Sequence, residues 1–403
     1  MKKILFLALA IVTVVGCKKS PQSPVENGTD EVIALSTGSV ALSKVDPVVN
    51  QGERIDFIIG DQIGVFAAYD VKSNQTPAAI PTAPDWTPAT EATLKNQTGL
   101  YFSNMPAKCT VPGVPGVSTP SVTPAVPATF TWGATGSALT AEKMIYPKGK
   151  RSIYLYAYYP YTSTAVDLVL PTDATTNPKL NITLTDGSAY QTQADVLFTH
   201  GKSVAGFDTI SRGDKLAKLT FKHALAQVQF KVYSTDAAVA ACKLLSIEFV
   251  APKKGVMDIT TGATAVTSIA SGDATTKATY SITENKNAKI PVAVKGASTP
   301  YYADALVVLA KPLMVFPLTS DQVKTCELKV KVYFGTKTVE SDIVADTDNQ
   351  KEFTVDLTNV TNTFEIGKTN WLILGISRTT IDLTGDITAW DQTNGNDSDI
   401  VVE

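Results

Sequence analysis

The sequence predicts an all-β protein made of two antiparallel β-sandwich domains in tandem. Short segments in which apolar and polar residues alternate recur along the chain, and clusters of Gly, Asn, Asp and Pro separate them. Alternation with a period of two is typical of strands with one buried face, and many short strands between turn residues are typical of sandwiches. The chain has 403 residues. About 375 follow a leader and a polar tether, which is enough for two domains with a hydrophobic core each.

Four segments show this alternation clearly, and each is expected to form a half-buried strand. Their apolar faces contain Cys326, Leu328, Val330, Val332 and Phe334; Leu245, Ile247 and Phe249; Ile153, Leu155 and Ala157; and Ile381, Leu383, Ile387 and Ala389. In the first segment Glu327, Lys329, Lys331 and Tyr333 occupy the opposite face. In the third segment the opposite face carries Tyr154, Tyr156 and Tyr158.

One segment, residues 219–232, changes phase. Leu219, Phe221 and His223 share one face, whereas Val228, Phe230 and Val232 have the opposite parity. A β-bulge or a short turn near residues 224–226 would reconcile the two halves. His223 then lies on an apolar face, where a core histidine with a satisfied hydrogen bond is the expected role.

The predicted domains span residues 31–212 and 213–403, because polar turn residues near 208–216 separate two strand-rich halves. Within the first domain, residues 71–129 contain many prolines and no alternation. Proline cannot donate a hydrogen bond to a ladder, so this range is expected to be a long surface loop. We favour a passive loop over a contact surface.

The first 16 residues have the features of a signal peptide. Two lysines precede twelve uncharged residues, fewer than the roughly 20 that a spanning helix needs. The run ends in Val-Val-Gly-Cys17, which resembles a bacterial lipobox, so Cys17 is the expected lipidation site. Residues 17–30 are polar and are expected to form a flexible tether. A plain secretory signal with an incidental cysteine is the alternative.

Composition and motifs argue against several functions. The formal net charge is −3 without a basic stripe, so nucleic acid is not an expected partner. The chain contains no G-x-S-x-G, H-E-x-x-H or paired C-x-x-C motif, and its acidic loops lack EF-hand spacing. We therefore predict no catalytic residues, no metal site and no cofactor. Whether Cys242 and Cys326 form a disulfide stays open, with buried thiols as the alternative.

Five segments, taken in order behind the lipobox, carry a family resemblance: residues 60–70, 153–161, 194–200, 219–232 and 369–376. Together they resemble the fimbrillin family of Bacteroidetes, the Mfa-like pilins of type V pili. The resemblance implies two transthyretin-like β-sandwich domains and export as a lipoprotein to the outer membrane and cell surface. It also implies other pilus subunits as partners, with ligands on host or bacterial surfaces for a tip adhesin. Shaft, tip and anchor roles stay open.

The resemblance further implies assembly by donor-strand exchange, in which a protease removes the first strand and a strand of another subunit fills the space. The candidate displaced strand lies in residues 31–42, with Val32, Ile33, Leu35, Val40 and Leu42 as its apolar residues. Lys44 and Arg54 are the candidate processing residues. The family usually has an arginine close to the position of Lys44, so the cleavage site is predicted only within 43–55.

The candidate donor is the C-terminal stretch from about residue 379 onward, through Ile381, Leu383, Ile387 and Ala389. A tip subunit that accepts a strand and never donates one is the alternative. A second class of function is an outer-membrane glycan-binding lipoprotein of a polysaccharide-utilisation system. It would require an exposed aromatic platform, for which Trp86, Trp132 and Trp390 are candidates, whereas Trp371 is expected in the core.

Overall fold

The structure is a computed structural model, and the fold it shows is nearly all β. It describes residues 32–37, 57–70, 84–87, 100–112, 128–132, 144–146, 152–164, 167–184, 195–203, 205–211, 213–214, 216–234, 242–267, 276–283, 285–292, 305–309, 312–358, 360 and 363–389. Strands dominate these residues, as the alternation predicted. No helix among them is long and apolar enough to cross a bilayer.

The strands are β1 (Ala34–Thr37), β2 (Gln62–Tyr69), β3 (Leu100–Val111), β4 (Thr129–Trp132), β5 (Ser152–Tyr159), β6 (Leu168–Val169), β7 (Lys179–Thr183), β8 (Leu197–Gly201), β9 (Ile210–Ser211), β10 (Leu216–Leu219), β11 (Lys222–His223), β12 (Ala226–Ser234), β13 (Lys243–Pro252), β14 (Lys254–Asp258), β15 (Thr264–Val266), β16 (Lys277–Ile282), β17 (Leu306–Val307), β18 (Leu313–Val315), β19 (Glu327–Tyr333), β20 (Gln350–Val355), β21 (Lys368–Ile376) and β22 (Ile381–Ala389). Helices α1 (Ser320–Val323) and α2 (Glu340–Ala345) and a 3-10 turn (Thr347–Asn349) flank β19.

These strands form four sheets within the described residues. Sheet A has nine strands in the order β10-β1-β4-β3-β2-β5-β8-β11, with β9 paired to β5. Sheet B has the order β17-β12-β21-β22 with β18 paired to β12, sheet C the order β16-β13-β19-β20, and sheet D the order β15-β14-β7-β6. One large core contains side chains of sheets B, C and D and of one face of sheet A, and a second core lies on the other face of sheet A.

Strand β5 borders both cores, which explains its composition. Ile153, Leu155 and Ala157 lie in the core of sheet A, and the three alternating tyrosines lie in the larger core. The predicted strand and its two faces are confirmed, but the expectation that only one face is buried is wrong, because a core lies on each side. Burial raises the pKa of Tyr154 to about 12, with Asp70 and Asp208 adding to the effect.

The predicted phase change is also confirmed. Leu219 and Phe221 belong to the core of sheet A, whereas Val228, Phe230 and Val232 belong to the larger core. A short bend at residues 224–225 separates β11 from β12, so the chain leaves sheet A here and enters sheet B. Strands β10 and β11 follow the domain boundary predicted between residues 212 and 213, but they belong to sheet A. His223 is buried, and its Nδ1 lies 2.7 Å from Oδ2 of Asp195, as expected for a core histidine.

Sheet D joins the two halves of the chain, because β7 pairs with β14 from Lys179 to Thr183. At its turn, the Asp258 carboxylate accepts hydrogen bonds from the Thr260 hydroxyl at 2.6 Å and from Nδ2 of Asn177 at 2.7 Å. Burial acts to raise the pKa of Asp258, but these hydrogen bonds outweigh it and hold the pKa below its ordinary value.

The prediction of a proline-rich surface loop over residues 71–129 is wrong for part of that range. Strand β3 lies inside residues 71–129 and is central, between β2 and β4. It contains Pro106, opposite Gly64 of β2. Asn104, with φ of 48°, and register shifts after Val65 interrupt the ladder here, so a strand interior tolerates this proline and its sequence lacks clean alternation.

Local irregularity also changes the predicted faces of β13 and β19. A bulge between Leu244 and Ser246 turns Leu244 toward the core with Ile247, whereas Leu245 packs with Tyr333 and Ile343 on the other face. Tyr333 is therefore buried under α2, not solvent-facing, and its hydroxyl donates to Asp346 at 2.8 Å. The apolar face of β19 is as predicted, with Leu328, Val330 and Val332 each 0% exposed.

Two further expectations concern single residues. Trp371 is half-buried beneath Lys231, whose Nζ lies 4.6 Å from the centroid of the indole ring. It packs against Tyr233 and Ile373 and not in either large core, contrary to the prediction that it lies in the core. Cys242 and Cys326 are buried and do not form a disulfide with each other in the described structure. Burial raises the pKa of the Cys326 thiol to about 12.

Candidate strand slot

Strand β1 lies in the interior of sheet A, although it is the first described strand of the chain. It runs parallel to β10, with Ala34 opposite Leu216 and Thr37 opposite Leu219. On its other side it pairs antiparallel with β4, through Leu35 and Phe130. Because β1 has a partner on each side, its removal would leave a gap in the sheet and two unpaired strand edges.

Sheet A is nearly closed around this position. Lys202, which follows β8, exchanges two backbone hydrogen bonds with Lys218 of β10, at 2.8 and 2.7 Å. Apart from this bridge, the ladder partner of β10 in the described structure is β1. We call the space that β1 occupies between β10 and β4 the slot.

Two apolar side chains, one in β1 and one directly before it, fill the slot from the core side. Ile33 and Leu35 are each 0% exposed and belong to the core of sheet A. Val32 is half-buried and forms a bridge with Ile145. Full burial of a side chain of this size stabilises by about 1.5–3 kcal/mol, so Ile33 and Leu35 anchor the strand.

Hydrogen bonds beyond the ladders hold both ends of β1. At the first end, the Ile33 N–H donates to the Met144 carbonyl at 2.7 Å, and Nε1 of Trp132 donates to the Ile33 carbonyl at 2.8 Å. At the second end, the Thr37 N–H donates to the Ala128 carbonyl at 2.9 Å. The Ala128 N–H in turn donates to Oγ1 of Thr37 at 2.7 Å. Of the four hydrogen bonds named here, this is the one that uses a side chain of β1.

Phe57 packs beneath the slot, where the described chain resumes after β1. It is 1% exposed and shares the core of sheet A with Ile33 and Leu35. Its ring makes edge contacts with Phe130 at 5.1 Å and Phe221 at 4.9 Å between centroids. The connection between β1 and β2 therefore starts and ends at anchored residues.

The structure places only some of the predicted site residues. Leu35 lies in β1, and Val32 and Ile33 lie directly before it. Cys17, Val40, Leu42, Lys44 and Arg54 lie outside the described residues. Sequence reasoning missed Thr37, although it continues the alternation of Ile33 and Leu35, and it missed the contacts of Ala128 and Met144, which no local pattern signals.

The candidate donor strand β22 forms the edge of sheet B. It pairs antiparallel with β21 along its whole length, from Ile381 opposite Ile376 to Ala389 opposite Lys368. Ile381 and Leu383 are partly buried against the larger core. The side chains of Ile387 and Ala389 lie outside the described residues.

The tryptophans proposed as a sugar platform have other surroundings. Trp86 is 1% exposed and packs on Tyr156, with ring centroids 5.5 Å apart. Trp132 is half-buried and donates to β1, and Trp390 lies outside the described residues. Neither described indole forms an exposed platform.

Comparisons with known proteins gave a match to one family model and a set of similar solved structures. A family model described as fimbrillin-like matches residues 53–390. No curated protein matches the chain. Among solved structures, a candidate cell adhesion protein of Bacteroides ovatus ATCC 8483 is 16% identical, with a TM-score of 0.48 and coverage of 91% of this chain and 100% of that chain. A fimbrial protein of Bacteroides vulgatus ATCC 8482 is 14% identical, with a TM-score of 0.47 and coverage of 81% and 92%.

Proposed function

Because the chain belongs to the fimbrillin-like family, we propose that it is a structural or adhesive subunit of a cell-surface fimbria, assembled by donor-strand exchange. In this proposal a protease removes β1, and a strand of another subunit enters the slot. In this proposal the chain has a structural role in the fimbria and is not an enzyme. The observation that carries the proposal is the interior position of β1, between β10 and β4, with Ile33 and Leu35 fully buried.

The slot supplies the physical driving force for assembly. Loss of β1 would expose backbone N–H and C=O groups on two facing strand edges together with the pockets of Ile33 and Leu35. Unsatisfied backbone groups and exposed apolar surface are both unfavourable, and an incoming strand satisfies both. A processed subunit is therefore expected to bind an extended apolar segment avidly.

The predicted processing residues lie between two anchored points of the chain. Lys44 and Arg54 fall between Thr37, which is bound to Ala128, and Phe57, which is buried in the core of sheet A. Cleavage there would release β1 while Phe57 keeps the new N-terminus attached to the domain. We propose cleavage within residues 43–55.

The proposed donor is β22, because it is an edge strand near the C-terminal end of the described chain. Its transfer to another subunit breaks one ladder, that with β21, and forms two, with β10 and β4 of the acceptor. If this subunit is a tip, it accepts a strand and its own β22 stays paired with β21. Lipid on Cys17 would hold the newly exported subunit at the outer membrane, with residues 17–30 as a tether.

Limited digestion with trypsin tests the proposal. N-terminal sequencing should place the first cut within 43–55, and gel filtration should show that the clipped protein associates. A synthetic peptide of residues 31–42 should bind the clipped protein and prevent association. The variant with Lys44→Gln and Arg54→Gln should resist this cut and stay monomeric. A first cut inside a sheet, or a clipped monomer that does not bind the peptide, would exclude donor-strand exchange through this slot.

A further inference from the structure

Exposed apolar side chains lie at one end of the slot. At the end where Thr37 lies, three large apolar side chains are exposed: Ile58 by 45%, Ile59 by 64% and Val111 by 46%. Val111 and Ser36 pair with the same residue of β4, Thr129, and the Gly60 N–H donates to the Cys109 carbonyl at 3.0 Å. Ile58, Ile59 and Val111, which we call the apolar patch, therefore lie beside the end of the slot.

Most contacts in the slot do not depend on the sequence of the strand that fills it. The ladders involve the backbone of β1, and the bonds from Trp132 and to Met144 involve the backbone of Ile33 directly before it. Three contacts do depend on the side chains of the strand. Ile33 and Leu35 fill pockets, and Oγ1 of Thr37 accepts a hydrogen bond from the buried Ala128 N–H. A replacement strand must supply two apolar side chains and one oxygen at alternate positions, because a buried N–H without an acceptor is unfavourable.

The start of the donor segment supplies these side chains in reverse order. Thr379, Ile381 and Leu383 present a hydroxyl followed by two apolar side chains. Ile33, Leu35 and Thr37 present two apolar side chains followed by a hydroxyl. If the donor ran in the direction of β1, with Ile381 and Leu383 in the two pockets, Gly385 would face Ala128 and offer no side-chain oxygen. In the opposite direction, Thr379 faces Ala128, and both pockets are filled.

The donor strand is also on a short tether. In the hairpin of sheet B, Ile376 of β21 stands opposite Ile381 of β22, and the Ser377 N–H donates to the Thr380 carbonyl at 2.9 Å. An extended chain spans at most ~3.3–3.6 Å per residue. Thr379 can therefore lie only about 10 Å from Ile376, so the body of the donor must lie against the end of the slot that Thr379 enters.

We propose that a second copy of this chain docks its body on the apolar patch and inserts its C-terminal strand from the Thr37 end, opposite in direction to β1. This inference rests on the proposed function. The donor then pairs antiparallel with β10 and parallel with β4, so the slot keeps one ladder of each kind. Docking covers Ile58, Ile59 and Val111, which accounts for their exposure in the single subunit.

Disulfide cross-linking of clipped protein tests the direction. An acceptor carrying Ile59→Cys, mixed with a donor carrying Arg378→Cys, should give a covalent dimer on non-reducing gels. The matched control places the acceptor cysteine at the other end of the slot, as Ile145→Cys, and should give none. Cross-linking of the Ile145→Cys acceptor alone would overturn the proposed direction and leave donor-strand exchange intact. Absence of both cross-links would also overturn the direction.

Peptide binding tests the chemistry of the slot separately. A peptide of residues 377–389 should bind clipped protein, and Thr379→Val should weaken binding about tenfold or more, because the Ala128 N–H then has no acceptor. The control Thr379→Ser keeps the oxygen and should bind like the parent peptide. Equal binding of the valine and serine peptides would overturn the proposed order of side chains. Failure of both this peptide and the 31–42 peptide would instead overturn the proposed function.

Discussion

The substitution Leu35→Ala should destabilise the intact subunit but not the processed, assembled one. Leu35 is 0% exposed in the core of sheet A. Its truncation removes three carbon atoms, worth about 2.4 kcal/mol at about 0.8 kcal/mol per buried methylene, and the cavity left behind raises the expected loss to about 3–5 kcal/mol. A loss of this size is a large part of the ~5–15 kcal/mol by which domains are stable.

The assay compares guanidinium unfolding of intact protein with that of clipped protein filled by a donor peptide. Leu35→Ala should lower the unfolding midpoint of the intact form only, because clipping removes β1 with the substitution. Leu328→Ala in sheet C, where the side chain is also 0% exposed, is the matched control and should destabilise both forms equally. A neutral effect of Leu35→Ala in the intact form would refute the packing of β1, and an equal effect in both forms would refute its removal.

Three further predictions address other parts of the chain. Cys17→Ala should abolish labelling by a fatty-acid probe and release the protein from the membrane fraction; unchanged labelling would end the lipoprotein proposal. Val332→Ala should lower the free energy of unfolding by about 1–3 kcal/mol through lost burial and a cavity, and a neutral result in urea unfolding would show that its face is wrong. The pKa of Asp258 is lowered in the folded state, so its contribution should be present above the unfolded value of about 3.9 and vanish as pH falls through the folded pKa. Asp258→Asn should therefore be destabilising at pH 7, and the difference from the parent should shrink below about pH 4. A constant difference across this range, measured by thermal unfolding, would contradict the assignment.

Prediction from sequence worked where side chains alternate along a strand in regular register. The apolar face of β19, the two faces of β5 and the phase change before β12 were all evident from the order of residues. It failed where the backbone is irregular. The bulge after Leu244 reverses the side to which Leu245 points, and Asn104 and Pro106 hide β3 because they break its alternation.

The slot shows the same division between local and distant information. The residues of 32–37 alone determined that this segment is an apolar strand, because successive side chains of an extended backbone point to opposite faces. Only the tertiary structure decided that β1 lies inside sheet A, between β10 and β4, and that Ala128 binds the Thr37 hydroxyl. The pattern of a strand encodes which face is buried, but its neighbours lie far along the chain, and their choice depends on how all strands pack together.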